Sequence, residues 1–319
     1  MAPLPSSVSG TVSSTHRPGS GTTEVAGNDK EKRMKYWQCL AMLDMKELPT
    51  LAKHAEDLGF EGITLGEHLI TFSEQYEQYD YSKNSLIRWY PQTHWPEPWV
   101  QIAALSQVTS TLRFLTSVYV LPMHDPFNVA KLVSTAANIS EGRVILGAGI
   151  GWQKSEFDLV DQDFHTRGKR CDEMLDVMSQ LWTGEPVSYE GEFYRFPSLQ
   201  MSPGLDQPLP VFIGGFAEPA LRRAARHDGW IGGQHEMEEV EQLLPALYQF
   251  RQDEGRSHEH FDIALGLYDM SGRNIERCAE LGATKLYRHA FCDENGMASV
   301  MSLDEKLRDM ETFARQYLV

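Results

Sequence analysis

Leu112–Trp152 reads LRFLTSVYVLPMHDPFNVAKLVSTAANISEGRVILGAGIGW, and its punctuation decides the architecture. Arg113 to Leu121 is a β-branched and aromatic run, long enough for a buried strand. Pro122 to Pro126 breaks it, with Asp125 placed as an N-cap and Pro126 at the first helical position. Val129, Leu132, Val133, Ala136 and Ile139 recur at helical spacing and predict one inward stripe. Glu141-Gly142 stops that helix. Val144-Ile145-Leu146 then starts a second strand, which runs into Gly147-Ala148-Gly149-Ile150-Gly151. Two parallel strands joined by a helix place those glycines at the carboxyl end of the second strand, where parallel sheets and barrels bind ligands.

The same alternation extends in both directions. Upstream, Tyr36–Leu43 reads as a strand. Glu47–Leu58 follows as a helix with Leu51, Ala52, Ala55 and Leu58 on one face, stopped by Gly59. Phe60–Leu65 is a strand ending at Gly66-Glu67-His68. Leu69–Pro98 is a long loop carrying Tyr76, Tyr79, Tyr81, Trp89, Tyr90 and Trp95; it is either a lid or a solvated insertion. A helix at Trp99–Val108 leads into the opening stretch.

Downstream, an acidic passage precedes a helix at Arg167–Trp182, whose inward stripe is Cys171, Met174, Leu175, Met178 and Leu181. Val187–Phe196 reads as a hairpin turning at Glu190-Gly191. Strands follow at Pro210–Ile213, Gly229–Ile231, Ile263–Tyr268 and Lys285–Phe291. Helices are expected near Glu218–Arg226, Val240–Phe250, Ile275–Leu281 and from Leu303. Eight strands alternating with helices predict an α/β fold of the (β/α)8 TIM-barrel type with insertions, in one domain over residues 34–319, rather than an open doubly wound sheet.

Composition narrows the functional classes. The 319 residues are 41% hydrophobic, enough for a core, and carry a formal charge of −16. That charge, with no basic stripe, argues against a nucleic-acid or anionic-membrane surface. No apolar run reaches the length of a membrane span. Cys39, Cys171, Cys278 and Cys292 lack Cys-x-x-Cys spacing, so a reducing, cytoplasmic setting is expected rather than a disulfide framework. Residues 1–33 are rich in Ser, Thr, Gly and Pro and are expected to be a disordered leader without the apolar core of a secretory signal. Met34-Lys35-Tyr36 resembles a chain start.

Three clusters fall at strand carboxyl ends. The first is Glu67-His68: a histidine there either donates a hydrogen bond or proton to a bound ring, or is a hydrogen-bonded rim residue. The second is Gly147-Ala-Gly-Ile-Gly-Trp152, where glycines admit a flat ligand or simply turn the chain. Its G-x-G-x-G spacing departs from the dinucleotide fingerprint. The third is Gly214-Gly215-Phe216-Ala217-Glu218-Pro219, opening a helix whose first amides suit a phosphate, with Arg222 and Arg223 one turn in. The rival metal chemistry would need His-x-His after the first strand; the chain has His258-Glu-His260 in a polar loop instead.

These motifs, together with Leu58-Gly-Phe-Glu-Gly62, Phe164-His-Thr-Arg-Gly-Lys-Arg-Cys-Asp-Glu173, Leu221-Arg-Arg-Ala-Ala225 and Asp228-Gly-Trp230, resemble the luciferase-like monooxygenase superfamily over roughly residues 34–268. Within it, the likeness is to the branch of flavin- or deazaflavin (coenzyme F420)-dependent oxidoreductases. The resemblance implies a bacterial-luciferase-like barrel holding F420, or alternatively FMN, at the strand carboxyl ends. It implies a non-prolyl cis peptide at Ser117-Val118 behind the cofactor ring. Ile150, Gly151 and Trp152 would lie beside the ring, Gly214, Gly215, Phe216 and Ala217 would form the phosphate loop, and His68 with Glu67 would be catalytic.

Two positions depart from the family's pattern. Trp152 stands where the sugar-phosphate dehydrogenases have an acidic residue, and Phe216 replaces a small polar one. Lys154, Arg167, Lys169 and Arg170 are the candidates for an acidic cofactor tail. The expected activity is hydride transfer between F420 and an organic small molecule by a homodimer. The alternatives are an FMN-dependent monooxygenase and a non-catalytic flavin-binding protein.

Overall fold

Strand pairing closes the expected alternation into a ring. The computed structural model describes residues 34–72, 87, 89–289, 291–292 and 301–318; the leader at 1–33 and Tyr76, Tyr79 and Tyr81 of the long loop lie outside them. In chain order the elements are β1 (Lys35–Cys39), α1 (Leu48–Leu58), β2 (Gly62–Leu65), α2 (Pro98–Ser106), β3 (Arg113–Thr116), β4 (Tyr119–Val120), α3 (Pro126–Ile139), β5 (Val144–Gly149), α4 (Lys154–Leu159) and α5 (Arg167–Leu181). They continue with β6 (Val187–Glu190), β7 (Arg195–Leu199), β8 (Val211–Gly214), α6 (Glu218–Ala224), β9 (Gly229–His235), α7 (Met237–Asp253), β10 (Asp262–Leu267), α8 (Gly272–Glu280), β11 (Lys285–Arg288) and α9 (Leu303–Tyr317).

The parallel order β3-β2-β1-β11-β10-β9-β8-β5 returns to β3 through a β3–β5 pairing, which makes a (β/α)8 barrel. β4 prolongs β3 beyond a break and pairs with β5. β6 and β7 form an antiparallel hairpin outside the ring. Among the described residues no helix is long and apolar enough to cross a membrane.

Local chemistry places the ends of elements. Asp125 caps α3 by accepting the Phe127 and Asn128 amides at 3.1 and 3.0 Å, with Pro126 in the first turn. Gly59 ends α1 at φ +91°, a conformation that favours glycine. Glu56, near that end, accepts the amides of Ser110, Thr111 and Leu112 at 2.7, 2.6 and 3.0 Å and so ties α1 to the entrance of β3. Burial raises its carboxyl pKa, but these donors outweigh it and hold it at about 2.

Two expectations are corrected. The α3 stripe is Val129, Ala130, Val133, Ala136 and Ala137, whereas Leu132 and Ile139 are 40% and 46% exposed. The helix lies against its neighbours on a narrower face than its apolar residues span. The hairpin turns through residues 191–194 rather than at Glu190-Gly191, because three successive amides, Glu192, Phe193 and Tyr194, fold around the Glu173 carboxylate.

The barrel interior is built in layers. Trp37, Leu115, Ile145, Phe212, Ile231, Ala264 and Tyr287 form one buried cluster, one residue from each of seven strands. The eighth strand, β2, contributes Gly62, whose place is taken by the Trp37 ring: a Cβ there would lie 2.4 Å from it. Strand side chains alternate with period two, so the next inward positions toward the carboxyl ends are Cys39, Thr64, Gly147, Gly214, Gly266 and His289. Bulges interrupt the count on β3 and β9. The interior therefore passes from a bulky floor to a layer of glycines and small polar groups at the mouth.

Candidate functional site

The mouth is shaped first by the break between β3 and β4. The Ser117–Val118 peptide is cis, as the resemblance implies, and Val118 is half-buried against the interior cluster. The side chain of Val118 fills space that two glycines leave. A Cβ on Gly149 would lie 2.3 Å from Val118 Cγ2, and one on Gly214 would lie 2.4 Å from Val118 Cγ1. These glycines of β5 and β8 thus admit Val118, not a ligand directly. Gly151 is set by its own needs: φ is +78°, and a Cβ would meet Val120 and Phe157 at 2.6 and 2.7 Å. Ser117, Ile150, Trp152, Gly215 and Phe216 are likewise partly exposed.

His68 stands in an aromatic box. Its ring centroid lies 4.5 Å from Trp89, 4.8 Å from Trp95 and 5.9 Å from Trp152, and its side chain is 9% exposed. Nδ1 is 3.4 Å from Glu156 Oε2, within ion-pair reach but without the alignment of a hydrogen bond. The other oxygen of Glu156 accepts the Leu69 and Ile70 amides at 2.8 and 3.2 Å. This nearly buried carboxylate on α4 therefore holds both His68 and the start of the long loop. Gly66 brings the box to the bulge, since a Cβ there would lie 3.0 Å from Trp95 and 3.7 Å from the Ser117 carbonyl oxygen.

Glu67 is occupied on both oxygens. Val120 N–H donates to Oε2 at 2.5 Å, and His124 Nε2 lies 2.7 Å from Oε1. Its carboxylate braces β4, while its neighbour His68 keeps a nitrogen without a hydrogen-bond partner.

At the third cluster Gly215 has φ +111°, and its carbonyl accepts from Trp230 Nε1 at 2.7 Å. Phe216 stands edge-on to His235 at 6.1 Å, and Ala217 is the exposed N-cap of α6. The expected cations are engaged elsewhere. Arg223 binds the Asp172 carboxylate at 2.6 Å, and Arg222 pairs with Glu218 and covers Phe250. Lys154 pairs with Asp158 at 2.6 Å, and Lys169 lies 3.6 Å from Glu192. Arg167 donates to the Gly151 carbonyl, and Arg170 to that of Pro122.

Glu156 and the pairing of Trp89 with Trp95 around His68 carried no signal in the sequence, because the short helix α4 and the long loop deliver them. His258 and His260 lie on the surface loop before β10, with His260 82% exposed and 3.4 Å from Asp262.

The family model for luciferase-like monooxygenase matches residues 10–304. An uncharacterized protein of Mycobacterium tuberculosis is 30% identical over 285 residues, 89% of this chain and 99% of that protein. The F420-dependent glucose-6-phosphate dehydrogenase of Nakamurella multipartita is 29% identical over 227 residues, 69% of this chain and 62% of that protein. Among solved structures, the monooxygenase RslO1 from Streptomyces bottropensis has the same fold, with a TM-score of 0.69 at 19% identity, over 89% of this chain and 99% of its own.

Proposed function

Because this chain belongs to the luciferase-like monooxygenase family of oxidoreductases, we propose that it moves a hydride between F420 and a small organic substrate at the carboxyl end of its barrel. The observation that carries the proposal is the second interior layer. There Gly214, with Gly149 beside it, admits the half-buried Val118 side chain over the bulky floor, and His68 stands in its tryptophan box at the same carboxyl end. When bound there, F420 supplies hydride transfer alone, whereas reduced FMN would also react with oxygen. The likeness to an F420-dependent relative favours the first.

The chain's own residues have separate tasks. Val118 backs the ring, Ile150 and Trp152 flank it, and the backbone amides of Gly214–Ala217 receive its phosphate. His68, held by Glu156 and screened from water by three tryptophans, hands a proton to the substrate or takes one from it. General acid–base groups of this kind typically contribute about 10²–10⁴-fold. Glu67 acts one step removed, by fixing β4. The chain is proposed to work in the cytoplasm as a homodimer.

Oxygen tests the reaction type. With reduced F420 and a panel of carbonyl compounds, oxidation of the cofactor is expected to proceed at the same rate with and without oxygen. Turnover only with reduced FMN and oxygen would replace the reductase by a monooxygenase.

A further inference from the structure

Three side chains with chemistry share the layer of small residues at the mouth: Cys39, Thr64 and His289. Strand register makes them neighbours. Cys39 of β1 pairs with Thr64 of β2. On the other side Gln38 pairs with Arg288, so the next step along β1 and β11 sets Cys39 beside His289. Cys39 is 7% exposed and belongs to none of the apolar clusters, unlike Cys171 and Cys278, which are 0% exposed and lie within one. The Thr64 side chain is buried at 1% exposure and stands beside the sulfur in this layer. Burial pushes the Cys39 thiol up, but the charge and ring of His289, the Ala41 amide and Thr64 pull it below its ordinary value. Other ionisable groups near the pair are turned away: the Tyr287 hydroxyl donates to the Gly232 carbonyl, and Arg288 binds Asp309.

We propose that Cys39 and His289 are a nucleophile and proton-donor couple in the substrate pocket, matched to α,β-unsaturated carbonyl compounds. The inference rests on the mouth being the ligand site. In the step it implies, the Cys39 thiol gives its proton to His289, the thiolate lone pair forms an S–C bond at the β-carbon and the C=C electron pair moves toward the carbonyl. The α-carbon then takes the proton from His289. The product is a thioether, so no oxidant or reductant is consumed.

The test uses N-ethylmaleimide on the full chain, with labelled peptides assigned by mass and Cys39→Ala confirming the site. Cys39 is expected to react at least about tenfold faster than Cys171 or Cys278. Since its folded value is lowered, its rate should rise with pH at a midpoint below that of glutathione measured in parallel. His289→Gln and, as a second variant checked for folding, His289→Asn should both move that midpoint upward and slow the labelling. A midpoint at or above that of glutathione, an unchanged profile in both folded variants, or no labelling of Cys39 overturns the couple. Saturating F420 or FMN should protect Cys39. Labelling with the expected profile but without protection upholds the couple and counts against the flavin-type reading of the mouth.

Discussion

The Gly147→Ala variant is expected to be less stable than the parent chain by about 3 kcal/mol or more, a large value for a single methyl group. Its Cβ would lie 1.8 Å from the Thr116 carbonyl oxygen and 2.5 Å from Ile231 Cδ1. The first neighbour is backbone and cannot rotate aside. Thr116 is also bound to Gly147 twice, donating from its hydroxyl to the Gly147 carbonyl at 2.9 Å and accepting the Gly147 amide at 2.8 Å. Relieving the clash means separating β3 from β5, the pairing that closes the barrel. Urea unfolding of the two proteins measures the difference, and a loss below about 1 kcal/mol, within the range of ordinary substitutions, would mean that β3 and β5 are not packed as described.

Replacing His68 has its largest effect on turnover. His68→Ala is expected to lower kcat by roughly 10²-fold or more while cofactor affinity changes little. The alanine also leaves a void among Trp89, Trp95 and Trp152, so His68→Gln serves as the companion that keeps volume and loses the proton. If both variants lose turnover together, proton handling is the cause; if only the alanine variant does, packing is. Unchanged turnover in both would remove the role assigned to His68.

The parts of the fold that were legible in the sequence are those set by neighbours a few residues apart. Asp125 with Pro126 announced the start of α3, Gly59 announced the end of α1, and the alternation of apolar runs yielded eight strands. The sequence was misleading where an apolar residue stays exposed, as with Leu132 and Ile139, because periodicity does not say how wide a face a neighbour covers.

The site was legible only in part. Glu67-His68 and the glycine turns could be placed at strand ends by counting. The task of Gly149 and Gly214, admitting Val118, depends on three strands meeting and has no local pattern. Glu156 and the tryptophan box depend on where α4 and the long loop return to the barrel. The cis peptide at Ser117–Val118 came from family likeness rather than from any property of that dipeptide. Cys39 and His289 became neighbours only once β11 was seen to pair with β1 and so join the last strand to the first.

The central claim is that the mouth of this barrel holds the ring of F420. Calorimetric titration of the full chain with F420 and with FMN tests it most directly. One F420 per chain, bound more tightly than FMN, is the expected result; failure of both to bind would contradict it.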